Sequence, residues 1–179
     1  MTLPVPRPPR DLFGPAQAGA IKDLLQSIFV AELLKPSRRL WLAFGWISDI
    51  EILDNQARQF AALQPDWGAG GVRLSQVVEA IAARGGNVAF VLRDVEHNRY
   101  FLEKLASIRE RYPSQVKVVM DADVHKKGIL GDDFLLSGSM NLTFSGITVN
   151  EEHLTLRTDP ASVEEWRVVL EQKWGELLV

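Results

Sequence analysis

At 179 residues the chain has room for one domain with a substantial core. Its 46% hydrophobic and 24% charged residues are the balance of a globular protein, and a net charge of −3 excludes an extended Lys/Arg surface that coats DNA without regard to sequence. Cysteine is absent, which excludes disulfides and thiolate metal sites and suits a reducing cytoplasm; no apolar run approaches the roughly 20 residues of a membrane span, so no membrane partner is expected.

In chain order, the proline-rich start predicts a flexible extended arm over 1–14, without the apolar core of a secretory signal, and a single domain over 15–179. Ile21, Leu24, Leu25, Ile28, Phe29 and Leu33 recur at helical spacing, so a helix is expected from about Pro15 to Leu34. Leu40-Trp41-Leu42-Ala43-Phe44 is a short apolar run suited to a buried strand, and Gly45 to Asp49 breaks it into a loop. Gln64 to Gly71, rich in glycine, is expected to be a loop around Trp67, followed by a helix over Val72–Arg84 that Gly85-Gly86 closes. Then come a strand at Asn87–Leu92, a helix at about Asn98–Tyr112, a strand at Gln115–Met120, two further strands, another at Glu152–Leu156, and a final helix opened by Asp159-Pro160. Alternating strands and helices define an α/β layer structure, without choosing among the α/β folds.

The chemistry concentrates near residue 125. His125 and Lys127 stand two residues apart, and Ser139 and Asn141 repeat that spacing after Gly138. Residues i and i+2 of an extended strand share a face. A ring nitrogen, an ammonium and two neutral hydrogen-bonding groups on adjoining strands would suit a phosphoryl group with spread negative charge.

His125-x-Lys127, Asp132 and Gly138-Ser139-x-Asn141 resemble the signature of the phospholipase D superfamily, whose members cleave phosphodiesters through a phosphohistidine. The resemblance covers about 15–179 and implies an α-β-α sandwich with a mixed central sheet. Only Asp133 to Ser137 separate Asp132 from Gly138, one residue fewer than is usual in the family, and Asp132 is assigned to holding the turn. The resemblance makes His125 the nucleophile, Lys127 the point charge on the phosphoryl oxygens, and Ser139 and Asn141 their hydrogen-bond donors. Gly138 lets the backbone turn close by. The family also supplies the histidine with an acid beyond the Gly-Ser-x-Asn turn, and in Asn150-Glu151-Glu152 that residue is Glu152.

Trp46, Ser48 and Asp49, after the first strand of the domain, are candidates to line the cleft, with a core position the other reading of Trp46. His97 and Asn98 sit at a strand-to-helix junction, where capping and substrate contact are both open. The five tryptophans are expected mostly in the core or an interface rather than as stacking platforms. The three histidines lack ligand spacing, so neither metal nor cofactor is implied.

A phosphohistidine route needs a second acid-base group, and the chain carries one signature where the family uses two. Short single-motif members pair two copies, which implies a homodimer with a shared active site. The function expected is a metal-independent phosphodiesterase, a nuclease or DNA-processing enzyme with DNA as its nucleic-acid partner. A narrower resemblance, in Leu25–Leu34, Trp46–Asp49 and His125–Gly128, is to phospholipase D-like proteins encoded with 7-deazaguanine DNA-modification genes. It implies a prokaryotic DNA-modification or phage-defence setting, with partner proteins from the same gene cluster. The rival readings are a phospholipase, for which no amphipathic membrane-binding segment is evident, and a catalytically silent module binding nucleic acid or protein in the same cleft.

Overall fold

The computed structural model describes residues 8–178. Nine strands, β1 (Arg10–Phe13), β2 (Leu40–Phe44), β3 (Glu51–Asp54), β4 (Gly71–Arg73), β5 (Val88–Leu92), β6 (Val116–Met120), β7 (Gly128–Leu130), β8 (Leu135–Gly138) and β9 (His153–Arg157), alternate with five α-helices. The helices are α1 (Ala18–Leu34), α2 (Leu74–Ala83), α3 (Arg99–Arg111), α4 (Phe144–Thr148) and α5 (Pro160–Trp174). Seven strands form one mixed sheet in the order β1-β9-β8-β7-β2-β5-β6, while β3 and β4 make a separate small hairpin. β2, β5 and β6 run parallel; β7, β8, β9 and β1 alternate direction on the other side of β2.

The central strands read as continuous apolar runs because both of their faces are covered. Leu40, Leu42 and Phe44 of β2 point into the larger core cluster, shared with Phe29 of α1, Val77 of α2 and Leu105 of α3. Trp41 and Ala43 point the other way, into a second cluster with Val163, Leu170 and Trp174 of α5. The result is an α/β fold with helices on both faces of the sheet. Asp159 caps α5, accepting from the Ser162 amide at 2.9 Å, and that bond, with the Ser162 side chain, holds its carboxyl below the ordinary carboxylate range.

One end of the sheet is tied by a polar cluster. Glu32 of α1 is 3% exposed and accepts from the Ser37 amide at 2.8 Å and the Ser37 hydroxyl at 2.7 Å. Burial pushes its carboxyl up, against the pull of those two bonds. Ser37 Oγ in turn accepts from the Asp132 amide at 2.8 Å, joining α1, the start of β2 and the β7–β8 turn.

Several elements depart from the sequence expectations. Within the arm expected over 1–14, residues 1–7 lie outside the described residues, but Arg10–Phe13 is a strand that pairs antiparallel with β9 and buries Leu12. Val72 does not open a helix: it belongs to β4, and α2 starts at Leu74, where the Gln76 side-chain oxygen accepts from the Arg73 amide at 2.9 Å. The β3–β4 hairpin and α4 carry only three to five residues per element and gave no periodic pattern to read.

Candidate active site

The strand directions gather His125, Lys127, Gly138, Ser139 and Asn141 on one edge of the sheet. β7 runs against β2, with Gly128 opposite Ala43, so the entry to β7 lies beside the exit from β2. β8 runs back along β7 and β9 along β8, pairing Gly128 with Ser137 and Gly138 with Leu154. The segments after β2, β5, β6 and β8, and those before β7 and β9, therefore open on the same side. In an open α/β sheet, the carboxyl ends of the parallel strands are where ligands bind.

His125 and Lys127 lie in the connection before β7, not within a strand as the spacing suggested. The Gly138 amide donates to the Lys127 carbonyl at 3.2 Å, and the next amide, of Ser139, donates on the β9 side to the His153 carbonyl at 2.9 Å. The Lys127 ammonium reaches back to the His125 carbonyl at 3.4 Å. The His125 side chain is exposed and has no hydrogen-bond partner among the described residues, and the Lys127 ammonium has no ion pair among them.

The turn carrying His125 is anchored from beneath. Asp121 accepts from the Asp123 amide at 2.8 Å and from the Trp174 indole at 2.8 Å, and pairs with Lys173 at 3.0 Å. The Lys173 ammonium, followed by these two donors, holds the Asp121 carboxyl below its ordinary range. Val124 is buried, and its carbonyl accepts from the Arg93 guanidinium at 3.2 Å.

On the neighbouring strand, Ser139 Oγ donates to Glu152 and accepts from the His153 amide at 3.0 Å. The other Glu152 oxygen accepts from the Asn150 amide group at 3.4 Å. Glu152 thus holds Ser139 rather than the His125 ring. Asn141 Oδ1 accepts from the Trp46 amide at 3.1 Å, tying the end of β8 to the end of β2. His153 is occupied elsewhere, stacked on Phe13 and paired with Asp11 at 3.0 Å. Hydrogen bonds from Thr155 and then His153 lower the Asp11 carboxyl.

Gly138 is required by close approach, though not to a substrate. A Cβ there would collide with the His153 carbonyl in β9, so the glycine seats the adjacent strand. Asp132 lies past the far end of β7, across a three-residue strand from the His-x-Lys segment, roughly 10 Å of chain. Its carboxylate accepts from the Arg38 amide at 3.0 Å and faces Arg167 at 3.7 Å, so it fixes the β7–β8 turn to α5 and the start of β2.

The junction residues separate into two roles. Asn98 is fully buried: its Oδ1 accepts from the Ile47 amide at 2.8 Å, and its amide group donates to the Gly45 and Arg93 carbonyls at 3.0 and 2.8 Å. It clamps the post-β2 loop to the post-β5 loop. His97 is exposed, its Nε2 3.0 Å from Ser48 Oγ. Asp49 points into the fold, accepting from the amide and hydroxyl of Ser75 at 2.8 and 2.9 Å. Trp46, Ser48, Asn141 and Glu152 share a cleft of about 460 Å³ with His97 and Phe144. Sequence reasoning missed Phe144, which follows a capping threonine and reads as any apolar helix residue. Among the described residues, no group of three or more His, Cys, Asp or Glu could hold a metal ion, and no helix is long and apolar enough to cross a membrane.

A mixed sheet between helical layers, with His-x-Lys and Gly-Ser-x-Asn segments meeting on one edge, is a phospholipase D-like architecture. A family profile described as cardiolipin synthase, PLD-like domain, matches residues 69–174, more than half of the chain, and the protein belongs to this phospholipase D-like family. NucT from Helicobacter pylori superposes with a TM-score of 0.62 at 16% identity, over 92% of this chain and 94% of that one. The phospholipase D family member Nuc from Salmonella typhimurium gives 0.62 at 15% identity, over 94% of each chain. TrmBL2, an archaeal chromatin protein described as showing a novel mode of DNA binding, gives 0.58 at 10% identity, over 95% of this chain and 52% of that one. At these identities the likeness is one of fold. No curated protein matches the chain by sequence.

Proposed function

We propose that the protein is a metal-independent phosphodiesterase acting on nucleic acid, DNA in particular, through a phosphohistidine on His125. The observation that carries this reading is the unengaged His125 imidazole at a sheet edge, two residues from the Lys127 ammonium and beside the strand end that bears Ser139 and Asn141. In the first step a neutral His125 nitrogen attacks phosphorus, an N–P bond forms, and the P–O bond to the leaving oxygen breaks. Lys127, Ser139 and Asn141 stabilise the charge on the remaining oxygens. A second histidine protonates the leaving oxygen, then takes a proton from the water that cleaves the N–P bond.

That second histidine is assigned to another copy of the chain in a two-fold dimer with a shared site. Glu152 is proposed to supply the negative charge that the imidazolium needs, while also seating Ser139. The narrower setting, a prokaryotic DNA-modification or phage-defence system with partner proteins from the same gene cluster, rests on the three resembling stretches described above. A silent binding module is the second reading, supported by the engagement of Ser139 with Glu152. Hydrolysis of bis(p-nitrophenyl) phosphate in EDTA, lost in His125→Ala, is the expected result. No turnover by the parent protein would favour the silent module.

A further inference from the structure

We propose that the cleft beside Asn141 and Glu152 is a nucleobase subsite, walled by Trp46 and Phe144, that receives one unstacked base next to the scissile phosphate. The inference rests on the nucleic-acid reading of the site and assigns it a residue-level means of recognition.

Three observations carry it. The first is the exposure of the two aromatic walls. Trp41, Trp67 and Trp174 are 0%, 7% and 3% exposed, whereas Trp46 is 39% and Phe144 66% exposed. Large aromatic rings left in solvent at the mouth of a cleft are surface held ready for an apolar, planar partner. The Arg93 guanidinium lies over the Trp46 ring, 5.4 Å from its centroid, and so fixes the indole by one of its faces.

The second is the charge of the lining. Among the described residues no lysine or arginine lines this cleft, Arg93 lying against the Trp46 ring, and the one carboxylate in the lining, Glu152, is engaged by Ser139 and Asn150. A phosphate would find no cation there. A neutral heterocycle would find two aromatic side chains and, in the same lining, hydroxyl, amide and imidazole groups of the kind that read a base edge. The His97 ring, held at Ser48, is the most adaptable of these because it can donate or accept. An acyl chain would need a continuous apolar channel, which this mixed lining does not give.

The third is the link to the phosphate-binding side. The Trp46 amide is bonded to Asn141, so the residue that walls the base also positions a side chain assigned to the phosphoryl oxygens. With Asn98 clamping the loop beneath, the wall is a fixed part of the scaffold. The cleft, about 460 Å³, falls within the range of small-ligand pockets.

The test is equilibrium binding to the full-length His125→Ala protein, which cannot turn over the probe. Fluorescence anisotropy compares a labelled single-stranded tetrathymidylate with a tetramer of abasic tetrahydrofuran units of equal charge. We expect the base-bearing probe to bind about tenfold or more tighter, the scale of one aromatic–base stack. With Trp46→Leu and Phe144→Leu added, singly and together, that ratio should fall towards one, since leucine keeps apolar bulk but has no π-face. Equal affinity for the two probes, or a preference that persists in the double variant, would overturn the subsite. Tighter binding to phosphatidylglycerol vesicles than to either probe would also overturn it, in favour of a lipid. The two readings fail separately: base preference without cleavage by the parent protein removes the phosphodiesterase and keeps the subsite, and cleavage without base preference does the reverse.

Discussion

The Ser139 hydroxyl and the Glu152 carboxylate are hydrogen-bonded to each other across the adjoining ends of β8 and β9. This contact gives Glu152 a positional task distinct from the charge it would lend to a histidinium. Glutamine retains an oxygen that Ser139 can donate to, but not the charge. Glu152→Gln is therefore expected to lower kcat for a chromogenic phosphodiester by about tenfold or more, on the scale of a single electrostatic contribution to a transition state. A glutamine variant at the parent rate, with loss only in Glu152→Ala, would confine Glu152 to holding Ser139.

His125 has no hydrogen-bond partner among the described residues, and its side chain is exposed, so replacing it disturbs little else. His125→Ala or His125→Asn should abolish phosphodiester hydrolysis while the thermal midpoint and circular dichroism remain those of the parent. More than a trace of residual turnover would remove His125 as nucleophile.

Turnover is also expected to survive EDTA, because the work on the phosphoryl oxygens is assigned to Lys127, Ser139 and Asn141. Loss in chelator with recovery on adding Mg2+ or Mn2+ would instead assign that work to a cation.

Asp121 makes a prediction about pH. Its carboxyl is held low by Lys173 and by the Asp123 and Trp174 donors, so its stabilisation is present above the ordinary carboxylate pKa, about 4. It is lost as pH falls through the lowered folded value. Asp121→Ala should therefore cost about 2 kcal/mol at neutral pH, much of it the unpartnered Trp174 indole. The gap between variant and parent should narrow below about pH 4 as the carboxylate protonates, leaving the part that belongs to the indole. Chemical denaturation at pH 7 and pH 3 measures both. Because Asp121 anchors the turn carrying His125, activity should fall with stability at neutral pH.

The parts of the fold that could be read in the sequence are those where one residue pattern dominates. β2 and β5 are apolar throughout because both faces are covered, and α1 and α3 declare their buried stripes. β1 could not be read, since its short run follows prolines and pairs with β9, well over a hundred residues away. Pairing at that separation leaves no local trace. The site shows the same division. The signature residues are legible by type and spacing, but their positions outside the strand depend on where β7 begins, at Gly128. Phe144 carried no signal, because exposure depends on what the rest of the chain leaves uncovered.

A further prediction concerns assembly. One described chain offers His125 at the sheet edge, while His97 is at Ser48 and His153 is paired with Asp11, neither within a Gly-Ser-x-Asn signature. If the second acid-base histidine comes from another copy, equivalent His125 rings must lie near a two-fold axis. The two Lys127 ammoniums would then face the same phosphate, concentrating positive charge that the net −3 of the chain conceals. Parent protein and His125→Ala, mixed in equal amounts and allowed to exchange, would form parent dimers, mixed dimers and variant dimers in statistical proportion. A shared site that needs both histidines leaves only parent dimers active, so activity per total chain should drop to about one quarter of the parent value. Independent sites would leave about one half. Light scattering at working concentration should show the dimer. A monomer with full activity would overturn the shared site and require the second proton-transfer group to come from the same chain.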